Sequence, residues 1–141
     1  MPKVVLTSDV AASPDMLWQA IKGFSAIGTW HPLVRDVSSE GDGVGSTRRV
    51  EVQGAGHFVE RLEQINEGER VYRYAIVDSP LPVFNCTVEV RVSDNGDGSA
   101  CVAWESSFDS EAGGELLAVK TFQRLTQSAF DRLQQQFGIK R

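Results

Sequence analysis

Apolar residues recur at Leu116, Val119, Phe122, Ala129, Phe130, Leu133 and Phe137, close to the i, i+3/i+4, i+7 spacing of a single helical face. No Gly or Pro interrupts the stretch, while Gly113-Gly114 precede it and Gly138 follows. The spacing predicts a helix over 116–137, about 22 residues and roughly 33 Å long. A stripe of that length needs an apolar partner surface, and the chain upstream offers one as strands. A first strand is predicted over Val4–Val10. Ser13-Pro14-Asp15 then supplies a cap, a residue suited to the first helical position and an acid at the positive end of the dipole. The helix it starts carries Leu17, Trp18, Ala20 and Ile21 and stops near Gly23. A second short helix, about Phe24 to Trp30, ends at His31-Pro32, because the residue before proline is pushed out of the α region.

From Leu33 onward, turn signals separate short β-rich runs: Gly41-Asp42-Gly43, Gly54-Ala55-Gly56, Asn66-Glu67-Gly68-Glu69, Ser79-Pro80-Leu81-Pro82 and Asp94-Asn95-Gly96-Asp97-Gly98. Spacing of this kind indicates an antiparallel meander of six strands. The predicted class is α+β: a strand, two short helices, six strands and a long helix gripped by a curved antiparallel sheet, with space between them for a ligand.

Parity assigns the faces. Even-numbered positions are apolar in Phe84, Cys86, Val88, Val90 and Val92, in Ala100, Val102, Trp104 and Phe108, and in Val50, Val52, Phe58, Leu62, Tyr72, Tyr74 and Ile76. A turn at Asn95-Gly96 pairs Val88 opposite Trp104 and keeps these sets on one face. The same parity carries Arg48, Glu60, Gln64 and Ser106 inward. A charge there must be paired or solvated. If the Gly54-Ala55 turn makes facing residue numbers sum to about 108, Arg48 lies beside Glu60, either as a structural ion pair or as a polar anchor at the end of an apolar pocket. His31 reads either as a capping or surface group or as a hydrogen-bonding group at the pocket mouth. His57 has the outward parity.

Composition narrows the partners. A chain of 141 residues, 41% hydrophobic and 23% charged, suits one globular domain over 1–141. Its formal net charge of -5 with scattered basic residues argues against nucleic acid. No apolar run reaches 18 residues and no signal-peptide pattern opens the chain, so no membrane insertion and a cytoplasmic location are expected. Cys86 and Cys101 have opposite parity and are read as reduced. No Cys/His spacing suggests a metal, and no phosphate loop, dinucleotide fingerprint or nucleophile elbow suggests a cofactor or a standard catalytic site.

Leu17-Trp18, Phe24, Trp30-His31-Pro32, Gly45-Ser-Thr-Arg-Arg-Val50, Glu60-Arg-Leu62, Tyr72-Arg-Tyr-Ala-Ile76 and Pro80-Leu-Pro82 together resemble the bacterial polyketide cyclase/dehydrase and lipid-transport family. That family belongs to the START-like, helix-grip superfamily, with the major birch-pollen allergen and the plant abscisic acid receptors. The resemblance implies a seven-stranded antiparallel sheet wrapped on the C-terminal helix around a hydrophobic cavity. It places His31 where the receptors carry a ligand-pairing lysine. Gln53-Gly-Ala-Gly56 and Ser79-Pro-Leu-Pro82 fall where the receptors have their gate and latch, which makes Leu81 a rim residue.

The first functional expectation is a carrier or sensor for a small hydrophobic or amphipathic molecule. Phe58, Leu62, Tyr74, Ile76, Phe84, Val88, Trp104, Phe122 and Phe130 would wall the cavity near Trp30 and Leu81, and Arg48, Glu60, Tyr72 and His31 would supply polarity. The alternative is a cyclase or dehydratase in which His31 or Glu60 moves a proton next to a carbonyl and Arg48 or a tyrosine steadies the oxyanion.

Overall fold

A computed structural model describes residues 2–139. The alternating runs form β1 (Lys3–Val10), β2 (Val34–Glu40), β3 (Thr47–Val52), β4 (Gly56–Asn66), β5 (Val71–Asp78), β6 (Val83–Asp94) and β7 (Ala100–Ser110). They make one antiparallel sheet in the order β1-β7-β6-β5-β4-β3-β2. Strands 2 to 7 are thus a meander, and β1 closes onto β7. Between β1 and β2 lie α1 (Pro14–Ile21) and a 3₁₀ helix (Phe24–Thr29). Ser13 caps α1 by accepting a hydrogen bond from the Met16 amide at 3.2 Å.

The long helix, α2 (Glu115–Phe137), lies on the even-numbered face of the sheet. Its buried side is Ala118, Thr121, Phe122, Thr126, Ala129, Phe130 and Leu133. Burial of a Phe or Leu side chain contributes about 1.5–3 kcal/mol, so Phe122, Phe130 and Leu133 are the main adhesive. The stripe is rotated from the predicted one at its start: Leu116 and Leu117 are 65% and 57% exposed. The chain enters α2 through Gly114, where a Cβ would lie 2.5 Å from Pro82 Cγ. That close pass explains Gly114, while Gly113 takes a left-handed φ of +79.

Register follows parity except where bulges intervene. Arg48 pairs with Glu60, as the sum of 108 requires. The β6–β7 turn is longer than a two-residue Asn95-Gly96 turn, so Trp104 faces Val90 and Val88 faces Ser106. A shift between Leu62 and Gln64 turns Gln64 outward, and a shift between Phe84 and Thr87 leaves Phe84 52% exposed. Asn85 has φ +51 at the second shift, a left-handed conformation that reverses the side-chain alternation. These two outward residues correct the parity assignment.

The buried residues form a larger cluster, shared by α1, the 3₁₀ helix, the sheet and the C-terminal half of α2, and a smaller one of Val4, Cys86, Phe108, Ala118 and Phe122. Cys86 is buried, Cys101 is half-buried, and both are free thiols.

Candidate functional site

Where the two clusters meet under α2, the concave face holds a partly enclosed cavity of about 40 Å³. At 10–15 Å³ per water this holds roughly three waters. Strand alternation brings Val50 and Val52 from β3, Phe58 and Glu60 from β4, Tyr74 and Ile76 from β5, Val88 from β6, and Trp104 and Ser106 from β7 to its wall. Phe122, Leu125 and Thr126 of α2 form the roof, and Ile27, His31 and Val34 close the side. A wider indentation of about 520 Å³ near the β6 bulge includes Arg61, Val77, Asp78 and Phe84. It is more open to water, so polar contacts there are screened, and the deeper, mostly apolar cavity under α2 is the better small-molecule site.

Of the residues expected from sequence, the fold brings His31, Phe58, Glu60, Tyr74, Ile76, Val88, Trp104 and Phe122 to the cavity wall. Trp30, Leu62, Tyr72 and Phe130 are buried around it without lining it. Leu81 is half-buried against both core clusters, and Phe84 points away. Parity alone could have nominated Val50, Val52 and Ser106, and helical spacing from Phe122 could have nominated Leu125 and Thr126. Val34 reaches the wall by pairing with Val52 across β2 and β3, whereas Ile27 carries no such signal, because its place depends on how the 3₁₀ helix docks.

Arg48 is 1% exposed and stands behind Glu60. Its Nε donates to Glu60 Oε1 at 2.7 Å, and its Nη1 donates to the Phe24 carbonyl at 2.6 Å. The guanidinium carbon lies 3.9 Å from the Phe24 ring centroid and 4.7 Å from that of Tyr74. Nη2 is buried and has no hydrogen-bond partner among the described residues. Burial opposes the charge, but the Glu60 carboxylate and the neighbouring tyrosines outweigh it and hold the Arg48 pKa above its ordinary value. Burial also pushes Tyr72 up to about 12 and Tyr74 well above the usual phenol range. Both stay protonated at neutral pH and can donate.

His31 is buried rather than a surface cap. Its Nε2–H donates to the Leu125 carbonyl at 3.1 Å, and its Nδ1 accepts from the Leu33 amide at 3.2 Å. A carbonyl can only accept and an amide N–H can only donate, so these partners fix the neutral Nε2–H tautomer. Desolvation, with Arg48 nearby, lowers the pKa from 6.5 to about 4 despite the Leu125 bond. Neither ring nitrogen is free for proton transfer. Arg124 ties the same turn of α2 to the β3–β4 turn, donating to the Gln53 carbonyl at 3.1 Å. There Gly54 has φ +80 and its missing Cβ would crowd the Arg124 guanidinium at 3.2 Å.

Among the described residues, no group of three His, Cys, Asp or Glu side chains is placed to hold a metal ion, and no helix is long and apolar enough to cross a membrane.

Comparison with known proteins bears on the whole arrangement. The structure of XoxI from Bacillus cereus is similar at TM-score 0.89 and 26% identity, covering 97% of this chain and 96% of that one. A solution structure from Thermobifida fusca matches at TM-score 0.81 and 26% identity over 100% of this chain and 99% of the other. The aromatase/cyclase ZhuI from Streptomyces sp. R1128 shares the fold at TM-score 0.78 and 19% identity, covering 94% of this chain and 90% of its own. No curated protein matches at a significant level. The sequence profile described as polyketide cyclase / dehydrase and lipid transport matches residues 1–138, and with the seven-stranded sheet gripping α2 it establishes that this chain belongs to that START-like, helix-grip family.

Proposed function

We propose that this protein is a carrier or sensor that binds a small, mostly apolar molecule in the cavity between the sheet and α2. One observation carries the reading: the cavity is partly enclosed, walled mainly by aliphatic and aromatic side chains, and edged by a few converging polar groups, Glu60, Tyr74, Ser106 and Thr126. Sites of this chemistry hold a ligand by apolar burial and orient it by the polar few. Its volume, about 40 Å³, is far below the roughly 300–1,000 Å³ of pockets for drug-sized ligands. A larger ligand therefore enters by moving α2 against the rim, which means breaking the His31–Leu125 and Arg124–Gln53 hydrogen bonds.

The cyclase or dehydratase alternative loses support at His31, whose two nitrogens are both engaged. Glu60 remains as its one acid–base candidate on the wall. The deciding test is native mass spectrometry of the protein purified from its own host, followed by titration with small hydrocarbons and alcohols monitored by NMR. One ligand per chain, with shifts centred on Ile76, Val88 and Trp104, is the expected result. An empty protein that binds none of them saturably would overturn the carrier reading, and turnover of a carbonyl compound abolished by Glu60→Gln would replace it with the enzyme.

A further inference from the structure

The Arg48–Glu60 pair is only half made. In a guanidinium, Nη2 lies on the same side as Nε–H, so the two form the fork that meets a carboxylate at both oxygens. Here Nε takes Oε1 at 2.7 Å, while Nη2 is buried without a partner. One guanidinium donor therefore stays unused behind the carboxylate. Arg48 cannot turn to close the fork cheaply, because Nη1 is held by the Phe24 carbonyl and the guanidinium lies against the Phe24 and Tyr74 rings. Glu60 reaches the cavity wall and Arg48 does not, so a ligand meets the acceptor first.

The charge balance restricts what can bind there. Arg48 and Glu60 cancel, and His31 is neutral at pH 7 because burial holds its pKa at about 4. A carboxylate brought against Glu60 would face a like charge whose counter-ion is already committed. An ammonium would bring a second cation to a carboxylate that already has one. Either ion would also lose its water in a mostly apolar enclosure. A neutral hydroxyl meets neither obstacle. It donates to the Glu60 carboxylate at the cavity wall, while its carbon skeleton lies against the apolar wall.

We propose that the ligand selected by this cavity is a small apolar molecule bearing a neutral hydroxyl group, which donates to the Arg48-neutralised carboxylate of Glu60, and that carboxylates and ammonium ions of similar size are rejected. This rests on the cavity-binding reading above and adds the ligand's polar end to it.

Four singly substituted benzenes separate the possibilities: toluene and phenol, which are nearly isosteric, and the slightly larger benzoate and benzylammonium, each titrated into the full chain at pH 7 by NMR. Toluene is the most apolar of them and tests the cavity alone. The expected order has phenol tighter than toluene by about tenfold, the effect of one charge-assisted hydrogen bond, with benzoate and benzylammonium weaker than toluene. Toluene binding as tightly as phenol, or tighter, would overturn the hydroxyl assignment and leave the cavity reading intact. So would benzoate or benzylammonium binding best. No binding by any of the four would remove both. The double variant Arg48→Met/Glu60→Gln keeps the volume and dismantles the fork, so its toluene affinity reports that the cavity survives. There the phenol preference should fall to within about threefold, and a preference that persists undiminished would also overturn the proposal.

Discussion

Arg48 and His31 are almost equally hidden, at 1% and 5% exposure, yet one is held charged and the other neutral. The cost of a buried charge is similar in kind for both. What differs is the partners each receives. Arg48 has a carboxylate, a backbone carbonyl and two aromatic faces, all of which favour a cation. His31 has one carbonyl acceptor and one amide donor. A proton added at Nδ1 would point at the Leu33 N–H. Burial sets the stakes at both positions, and the sign of the neighbouring groups decides the protonation state.

The largest effect expected from breaking this contrast is at Arg48. Arg48→Met leaves Glu60 buried with no counter-charge and should cost about 3–5 kcal/mol in urea unfolding. Removing both charges, as in Arg48→Met/Glu60→Leu, should restore most of that. A single variant no less stable than the double would mean that the pair is not ionised.

His31 gives the next effect, and it depends on pH. Its folded-state pKa of about 4 lies below the ordinary 6.5, so on acidification the unfolded chain takes up the proton first. The contribution of neutral His31 is therefore complete above pH 6.5 and is lost as pH falls toward 4. The full loss should approach roughly 3 kcal/mol. His31→Phe should be less stable by about 1 kcal/mol at pH 7, because it leaves the part-buried Leu33 amide without its acceptor. Its stability should then decline less than the wild type's between pH 6.5 and 4. Parallel pH profiles for the two proteins would show that His31 is not held neutral.

The smallest change in stability is expected at the exposed tether. Arg124→Ala removes the bond to Gln53 at a cost within about 0.5 kcal/mol. If α2 lifts from the rim to admit ligand, the same variant should exchange a bound ligand faster, by NMR line shape, than the wild type does. Unchanged exchange would place the entry route elsewhere.

Several parts of this fold are legible from local pattern. Ser13-Pro14 announces α1, and the stripe from Phe122 to Leu133 announces α2. The summing of facing residues across the Gly54 turn brings Arg48 to Glu60. Parity fails where the backbone departs from regular alternation. The left-handed Asn85 sends Phe84 outward, and the shift after Leu62 does the same to Gln64. The shift after Leu62 has no side-chain signature in the chain, and Asn85 offers only a residue type that tolerates the left-handed region, since each bulge depends on how the neighbouring strands twist and pair.

His31 illustrates the other limit. Its neighbour Pro32 locates a helix end, but the Leu125 carbonyl that orients its ring is 94 positions away in the chain. Leu116 shows the same dependence: it fits the helical period yet falls outside the contact, because the angle at which α2 leaves Gly114 beside Pro82 sets which side of the first turn faces the sheet.

The sequence by itself determined the order of elements, the meander, the inward face of most strands and the presence of a buried charge that needed a partner. These follow from hydrophobic period, turn residues and the cost of an unpaired ion, all of which are local or involve one turn. Only the tertiary structure decided that the cavity is small, that Glu60 and not Arg48 faces it, that His31 is neutral and fully bonded, and that half of the ion-pair fork stays open. Those features depend on ångström-scale distances between elements far apart in the chain, where side-chain volume and hydrogen-bond geometry act and residue pattern carries no information.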